Sequence, residues 1–199
     1  MRIRELTGYK SNPIYSLIKD LDSAEDIYNA LKNNGYKKEV LGFGTYGVVF
    51  THPKDPKTVI KLFSSKDTGY KRYLDFALSN QDNPHVPKVK GRPVSLMQGH
   101  MQIIRLEKLR EYNEGNSSDD EFFSYMFDFL KYVRDHEENK DTPMPDSLGD
   151  LFMQYPKIYP VVMLLAENIN SDDFHEYNFM FRGSVPVITD PFNDDALGA

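Results

Sequence analysis

The residues best suited to chemistry lie near the carboxy-terminal end of the sequence. Asp173 and Asn178 stand five positions apart, directly before an apolar run predicted to be a strand, and Asp190 ends the next predicted strand. A carboxylate can take a proton from a hydroxyl group, and an amide oxygen beside it can bind a hard cation such as Mg²⁺. Asp190 would supply a second oxygen ligand opposite Asn178 across a hairpin. This pattern indicates metal-assisted chemistry on a phosphate group.

Two elements upstream suit a nucleoside triphosphate. Gly42, Gly44 and Gly47 are followed by strand-like sequence that includes Val49, which predicts a glycine-rich turn between two strands rather than the strand-to-helix turn of dinucleotide folds. Such glycines let main-chain N–H groups approach phosphate oxygens. Lys61 stands inside a β-branched apolar run, where a buried ammonium group needs an anionic partner. Each feature has an alternative when it is taken singly. The glycines could form a hairpin that binds no ligand, and Lys61 could lie on an edge strand and face water.

The composition excludes several other kinds of site. Cysteine is absent, which removes disulfides, zinc–thiolate sites and thiol nucleophiles. A net charge of −6 argues against general nucleic-acid binding, because neutralising phosphates requires clustered Lys and Arg. No apolar run approaches the roughly 20 residues that cross a bilayer, and the amino terminus lacks the apolar stretch of a secretory signal. We therefore expect a cytoplasmic protein that binds neither nucleic acid nor membrane.

Hydrophobic periodicity predicts an α+β fold with strands in the first half and mainly helices in the second. Helical spacing predicts helices at 14–21, 23–35, 68–78, 122–133 and 159–169. Short β-branched runs predict strands near 40–41, 48–50, 59–63, 94–97 and 101–106, and a hairpin over 179–189. Polar composition predicts a linker or exposed loop at 113–120 and a loop at 141–146.

In their order and spacing, these patterns resemble the protein-kinase-like superfamily. They are Leu41-Gly42-Phe-Gly44-Thr-Tyr-Gly47-Val-Val49, Val59-Ile-Lys61, Asp173-x-His175-x-x-Asn178 and Ile188-Thr-Asp190. The form Asp-x-His-x-x-Asn is closer to aminoglycoside and other small-molecule kinases than to eukaryotic protein kinases. Residues 36–192 are more closely similar to the kinase domain of the early serine/threonine kinases of T7-like bacteriophages, through Thr51-His-Pro53, Asn178-Phe-Met-Phe181 and Val185-Pro-Val-Ile-Thr-Asp-Pro191.

The resemblance implies a reduced bilobal fold. It divides the chain into an amino-terminal helical extension at 1–35, an N-lobe with an antiparallel sheet and hinge at 36–110, and a short, mainly helical C-lobe at 111–199. ATP and Mg²⁺ are the implied cofactors, bound in a cleft between the glycine-rich turn and the segment 173–190. The implied activity is transfer of the γ-phosphoryl group to Ser or Thr of a host bacterial protein, or of the chain itself. The implied location is the cytoplasm of an infected bacterium, with the virion as the alternative.

The resemblance also implies a role for each site residue. Lys61 would contact the α- and β-phosphates, and Asp173 would act as the base. His175 would steady the γ-phosphate or the loop, the alternative being a hydrogen bond to nearby backbone. Asn178 and Asp190 would hold the metal. The glycine-rich turn and the strand after it would cover the nucleotide, through Gly42, Gly44, Gly47 and Val49. The main chain around Glu107 to Leu109 would recognise the adenine.

The sequence departs from the family pattern in two places. No Glu lies between Leu62 and Leu106, so Asp75 is the nearest substitute for the usual carboxylate partner of Lys61. Asp190-Pro-Phe192 replaces the usual Asp-Phe-Gly, and seven residues follow it in this sequence, so no activation segment is expected. Two other functions therefore stay open. One is a catalytically inactive binding module that inhibits a host protein or belongs to the virion, and the other is a small-molecule phosphotransferase of the aminoglycoside-kinase type.

Overall fold

A computed structural model describes residues 13–39, 47–166 and 178–190 of the chain. This part contains six α-helices, a five-stranded antiparallel sheet and a two-stranded hairpin, which confirms the predicted α+β class. The helices are α1 (Pro13–Ile18), α2 (Ala24–Asn33), α3 (Thr68–Ser79), α4 (Ser117–Glu138), α5 (Asp146–Gln154) and α6 (Tyr159–Ala166). The strands are β1 (Lys37–Glu39), β2 (Gly47–His52), β3 (Asp55–Ser64), β4 (Val94–Leu96), β5 (Met101–Glu107), β6 (Phe179–Arg182) and β7 (Val185–Ile188).

The described residues form two compact units. The first comprises those up to Lys66 together with Val89–Lys108, and it holds α1, α2 and β1 to β5. The second comprises Asp67–Lys88 together with those from Leu109 onward, and it holds α3 to α6 and the β6–β7 hairpin. Helix α3 thus belongs to the second unit, although in sequence it lies between two strands of the first.

The sheet of the first unit has the strand order β1-β2-β3-β5-β4, with every neighbouring pair antiparallel. Ile60 and Leu62 of β3 are buried in one apolar cluster with residues of α1 and α2. Because side chains alternate between the two faces of a strand, Lys61 lies on the opposite face. Cross-strand register places Glu39, Val49 and Ile104 in the same row as Lys61.

Local sequence explains how the two amino-terminal helices begin and end. The Ser23 hydroxyl accepts a hydrogen bond from the N–H of Asp26 at 3.0 Å, which satisfies a free donor at the start of α2. Gly35 follows the end of α2 with φ of +85°, a conformation that glycine adopts without strain. The Ser23 cap and the Gly35 turn thus set the two ends of the helix that the sequence predicted at 23–35.

The second unit is built around the β6–β7 hairpin. Phe179 is paired with Ile188, and the turn at Gly183 has φ of +66°. Phe122 of α4 makes edge-on contacts with the rings of Phe179 and Phe181, at centroid distances of 5.5 and 6.1 Å. These aromatic contacts hold one face of the hairpin against α4, so the predicted hairpin and the predicted helix together form the core of this unit.

The structure adds to the predicted elements and corrects one of them. The first described strand is Lys37–Glu39, and the predicted strand at 40–41 lies outside the described residues. The polar stretch 113–120 is not all loop, because the Asn116 side chain caps a helix that begins at Ser117. Helix α5 follows the predicted loop at 141–146 and was not predicted.

In the described part, no helix combines the length and apolar character needed to cross a bilayer.

Candidate functional site

In the first unit, Lys61 is buried in the middle of β3, at 8 % exposure. Val49 lies directly opposite it on β2. A Cβ placed on Gly47 would lie 3.0 Å from Cε of Lys61, which is closer than Cβ atoms normally approach another atom. The lysine stem therefore runs toward the β2 residue that ends the glycine-rich stretch. The structure brings together Gly47, Val49 and Lys61, as the sequence predicted for a phosphate-binding face.

The main chain after β5 contains the predicted adenine-reading residues. Glu107 ends β5 opposite Thr58, and the N–H of Lys108 donates to the carbonyl oxygen of Lys57 at 2.9 Å. The Lys108 N–H is therefore engaged by the sheet. Leu109 is buried, and no hydrogen bond to another described residue engages its main-chain groups. Within the predicted segment, Leu109 is thus the residue best placed to meet a base edge.

In the second unit, Asn178 and Asp190 lie next to each other at the open end of the β6–β7 hairpin. The side-chain amide of Asn178 donates to the main-chain carbonyl oxygen of Asp190. The Thr189 N–H donates to the carbonyl oxygen of Asn178 at 2.8 Å, which extends the ladder by one residue. The amide nitrogen of Asn178 is turned to a carbonyl acceptor, and the amide oxygen is the atom of this side chain whose chemistry suits a cation.

Two buried tyrosines of α3 lie near Asp190. The Tyr73 hydroxyl donates to the carbonyl oxygen of Ile188, which ties α3 to the strand that carries Asp190. Burial raises the pKa of Tyr70 and Tyr73 well above the usual value, and the negative charge of Asp190 raises each pKa further. Both phenols therefore stay protonated near this carboxylate, and Asp190 is held in a defined polar environment.

The hairpin is contacted by the loop at 84–86 and by Arg110, which forms an ion pair with Asp119. Nδ1 of His85 donates to the carbonyl oxygen of Pro186 at 2.8 Å, and the Arg182 guanidinium donates to the carbonyl oxygens of Pro84 and Val86. On the other side, Arg110 binds the buried carboxylate of Asp119 through two hydrogen bonds of 2.6 and 2.9 Å. The Arg110 main chain also pairs with that of Phe181. These contacts hold the hairpin near its turn, at the end opposite to Asn178 and Asp190.

Residues 40–46 and 167–177 lie outside the described part, so the predicted roles of Gly42, Gly44, Asp173 and His175 stay predictions. Asp75, the predicted partner of Lys61, is exposed on α3 in the second unit. The sequence did not predict that Tyr73 holds the strand leading to Asp190, because its helical spacing indicated only a buried helix face. It also overlooked Glu39, which the short polar sequence of β1 did not distinguish from other surface carboxylates.

The donor set of the hairpin fits Mg²⁺. Asn178 and Asp190 offer hard oxygen ligands, and Mg²⁺ is commonly held by one or two carboxylates, with phosphate oxygens and waters completing its shell. Among the described residues, no group of three or more His, Cys, Asp or Glu side chains could hold a metal by itself. The arrangement therefore suits a cation that is bound together with a phosphate-bearing ligand.

Comparison with known proteins assigns no family to the chain. No protein-family model matches it, and no curated protein sequence matches it significantly.

Proposed function

We propose that the chain is an ATP- and Mg²⁺-dependent phosphotransferase of the protein-kinase-like type, which transfers the γ-phosphoryl group to Ser or Thr of a host protein or of the chain itself. The observation that carries the proposal is the pair of oxygen ligands at the end of the hairpin, Asn178 and Asp190. The sequence interval between them gave no guarantee of proximity. Their adjacency in the structure supports a shared role at one cation.

The first unit supplies the second line of support. Lys61 is buried on the face opposite the helices, and Gly47 leaves room for the end of its side chain. A buried ammonium group on such a face is suited to neutralising phosphate oxygens. The antiparallel sheet around it is also the kind of N-lobe that the resemblance implies. A bilobal kinase-like arrangement of the two units is part of the proposal.

Each residue has a role in this mechanism. Lys61 donates N–H groups to phosphate oxygens and reduces the negative charge that an incoming hydroxyl must approach. Asp173 accepts the proton of the acceptor hydroxyl, and Leu109 meets the base through its main chain. Asn178 and Asp190 would hold the cation through Oδ1 and carboxylate oxygens. When bound, Mg²⁺ supplies electrostatic neutralisation of the phosphate oxygens.

The test is transfer of label from γ-labelled ATP in the presence of Mg²⁺ and host lysate. Wild type is expected to label protein, whereas Lys61→Met and Asp173→Asn are expected to lose the signal by about a hundredfold or more. Lys57→Met, on the exposed start of β3, is the matched control and should keep full activity. Label found only on a small molecule would favour the small-molecule phosphotransferase instead.

One observation favours the inactive binding module as a second candidate. No Glu lies between Leu62 and Leu106, so the sequence lacks the residue that the family pattern pairs with the strand lysine. Nucleotide-dependent stabilisation without transfer of label, or no response to nucleotide, would support this alternative.

A further inference from the structure

Glu39 is a carboxylate on the same sheet face as Lys61. It is the last residue of β1 and shares a cross-strand row with Val49 and Lys61. Its side chain is 31 % exposed, and it belongs to none of the sequence patterns that predicted the site. Glu39 is therefore a charged group on the Lys61 face that the sequence patterns did not identify.

The hydrogen bonds of Glu39 use only half of its carboxylate. The Thr51 hydroxyl donates to Oε1 at 2.8 Å, and Nζ of Lys108 donates to the same oxygen at 3.0 Å. No described residue donates to Oε2. The bonds from Thr51 and Lys108 lower the pKa of Glu39 below its usual value, so the group is ionised at neutral pH. Lys108 has three N–H donors and uses one of them in this bond.

The two charged groups lie at opposite ends of one face of β2. The end of the Lys61 side chain lies beside Gly47, whereas the Glu39 carboxylate lies beside Thr51. Gly47 and Thr51 are separated by four residues on one face of β2, which corresponds to about 13 Å. A nucleoside triphosphate whose phosphates meet Lys61 can therefore extend its sugar toward Glu39 and Lys108.

We propose that Glu39 and Lys108 together bind the hydroxyl groups of the nucleotide sugar, so that the chain selects ribonucleotides over deoxyribonucleotides. Oε2 of Glu39 accepts a hydrogen bond from a sugar hydroxyl, and a spare N–H of Lys108 donates to its oxygen. A vicinal diol offers both a donor and an acceptor, whereas a deoxyribose loses one hydroxyl. This inference rests on the proposed function and deepens it by naming the nucleotide class.

The test compares the affinity of the whole chain for ATP, 2′-deoxy-ATP and 3′-deoxy-ATP by calorimetry in Mg²⁺. Wild type is expected to bind ATP about tenfold more tightly than at least one of the deoxynucleotides. Glu39→Met should bind ATP as weakly as wild type binds that deoxynucleotide, with little change for the deoxynucleotide itself. Thr51→Val is the matched control, since it removes a contact to Oε1 and leaves the carboxylate in place. It should keep the discrimination.

Lys108→Met provides a second variant, because its partly exposed side chain is not part of the apolar core, and it should also reduce discrimination. Equal loss of affinity for all three nucleotides in Glu39→Met would show a purely structural role and overturn the inference. Equal binding of the three by wild type, with phosphoryl transfer intact, would overturn the inference alone. Absence of any nucleotide binding by wild type would overturn the proposed function with it.

Discussion

The side-chain amide of Asn178 donates a hydrogen bond to the main-chain carbonyl oxygen of Asp190, twelve residues later in the chain. This bond closes the open end of the β6–β7 hairpin and turns Oδ1 of Asn178 away from the carbonyl. Both residues were selected from the sequence as cation ligands. Their contact gives the amide a structural role, and the proposed function adds a ligand role for its oxygen.

Asn178→Ala should therefore affect stability and metal dependence together. Loss of the buried hydrogen bond should lower the free energy of unfolding by about 1–2 kcal/mol, because the carbonyl of Asp190 loses its partner. Loss of Oδ1 should raise the Mg²⁺ concentration for half-maximal activity about tenfold. Asn80→Ala removes a comparable side-chain bond to the Phe76 carbonyl at the end of α3. It should show a similar cost in urea unfolding and an unchanged Mg²⁺ requirement.

Gly47→Ala should weaken nucleotide binding with little effect on folding. The added Cβ would lie 3.0 Å from Cε of Lys61, and the flexible lysine can move aside, so the cost in unfolding free energy should stay within about 1 kcal/mol. The displaced ammonium group should raise the KM for ATP about tenfold. Gly149→Ala in α5 is the control, since no atom lies within 4 Å of its added Cβ. It should stabilise the chain by up to about 1 kcal/mol and leave KM unchanged.

Asp119→Asn should destabilise the second unit in a pH-dependent way. Burial alone would raise the pKa of Asp119, but hydrogen bonds from Arg110 and from the Asn113 N–H lower it below the usual 3.8. A lowered pKa stabilises the fold above the unfolded-state pKa, and this stabilisation is lost as pH falls through the folded-state pKa. At pH 7 the substitution should lower the free energy of unfolding by about 2–3 kcal/mol. This value is at the low end of the cost of breaking a buried ion pair, because Arg110 is partly exposed.

Urea titrations of wild type and Asp119→Asn at pH 7 and pH 3 check this expectation. The difference in unfolding free energy between the two proteins should shrink at the lower pH. A difference that is independent of pH would mean that packing, and not the charge of Asp119, accounts for the effect.

His85 should give a pH dependence of the same direction at higher pH, because the form of this buried group that stabilises the fold is neutral rather than charged. Burial lowers its pKa below the usual 6.5, although the bond to the Pro186 carbonyl opposes this shift. Its neutral form therefore stabilises the fold above pH 6.5, and stability is lost as pH falls from that value toward the folded-state pKa. Wild type should lose stability between pH 7.5 and about pH 5.5, and His85→Gln should lose less over the same window. Parallel curves for the two proteins would exclude this histidine as the cause.

The sequence was informative where one residue type had one physical use. Ser23 and Gly35 marked the ends of α2, and the β-branched runs around Lys61 marked the central strands, because capping and strand pairing depend on nearby residues. Helix α5 was missed since Pro143 and Pro145 just before it indicated a loop and only a few apolar residues follow. The contact between Tyr73 and Ile188 depends on tertiary packing over more than a hundred residues, which periodicity does not encode.

In the candidate site too, residue types were predictable from the sequence, whereas a placement that depends on strand pairing was not. The types and order of Lys61, Asn178 and Asp190 identified them in the sequence as candidate phosphate and metal ligands, because such ligands are chemically restricted, and their chemistry stays a prediction. The location of Glu39 on the Lys61 face followed only from the register of β1 against β2. A shift of one residue would have placed it on the opposite face.

The most direct test of the central claim is calorimetric titration of the chain with ATP, in the presence and absence of Mg²⁺. Wild type should bind ATP more tightly when Mg²⁺ is present, and Asp190→Asn should lose this enhancement while keeping its affinity for metal-free ATP. Asp150→Asn, on the exposed surface of α5, should behave as wild type. Absence of ATP binding by wild type, or an Asp190→Asn variant that keeps the full Mg²⁺ enhancement, would contradict the account.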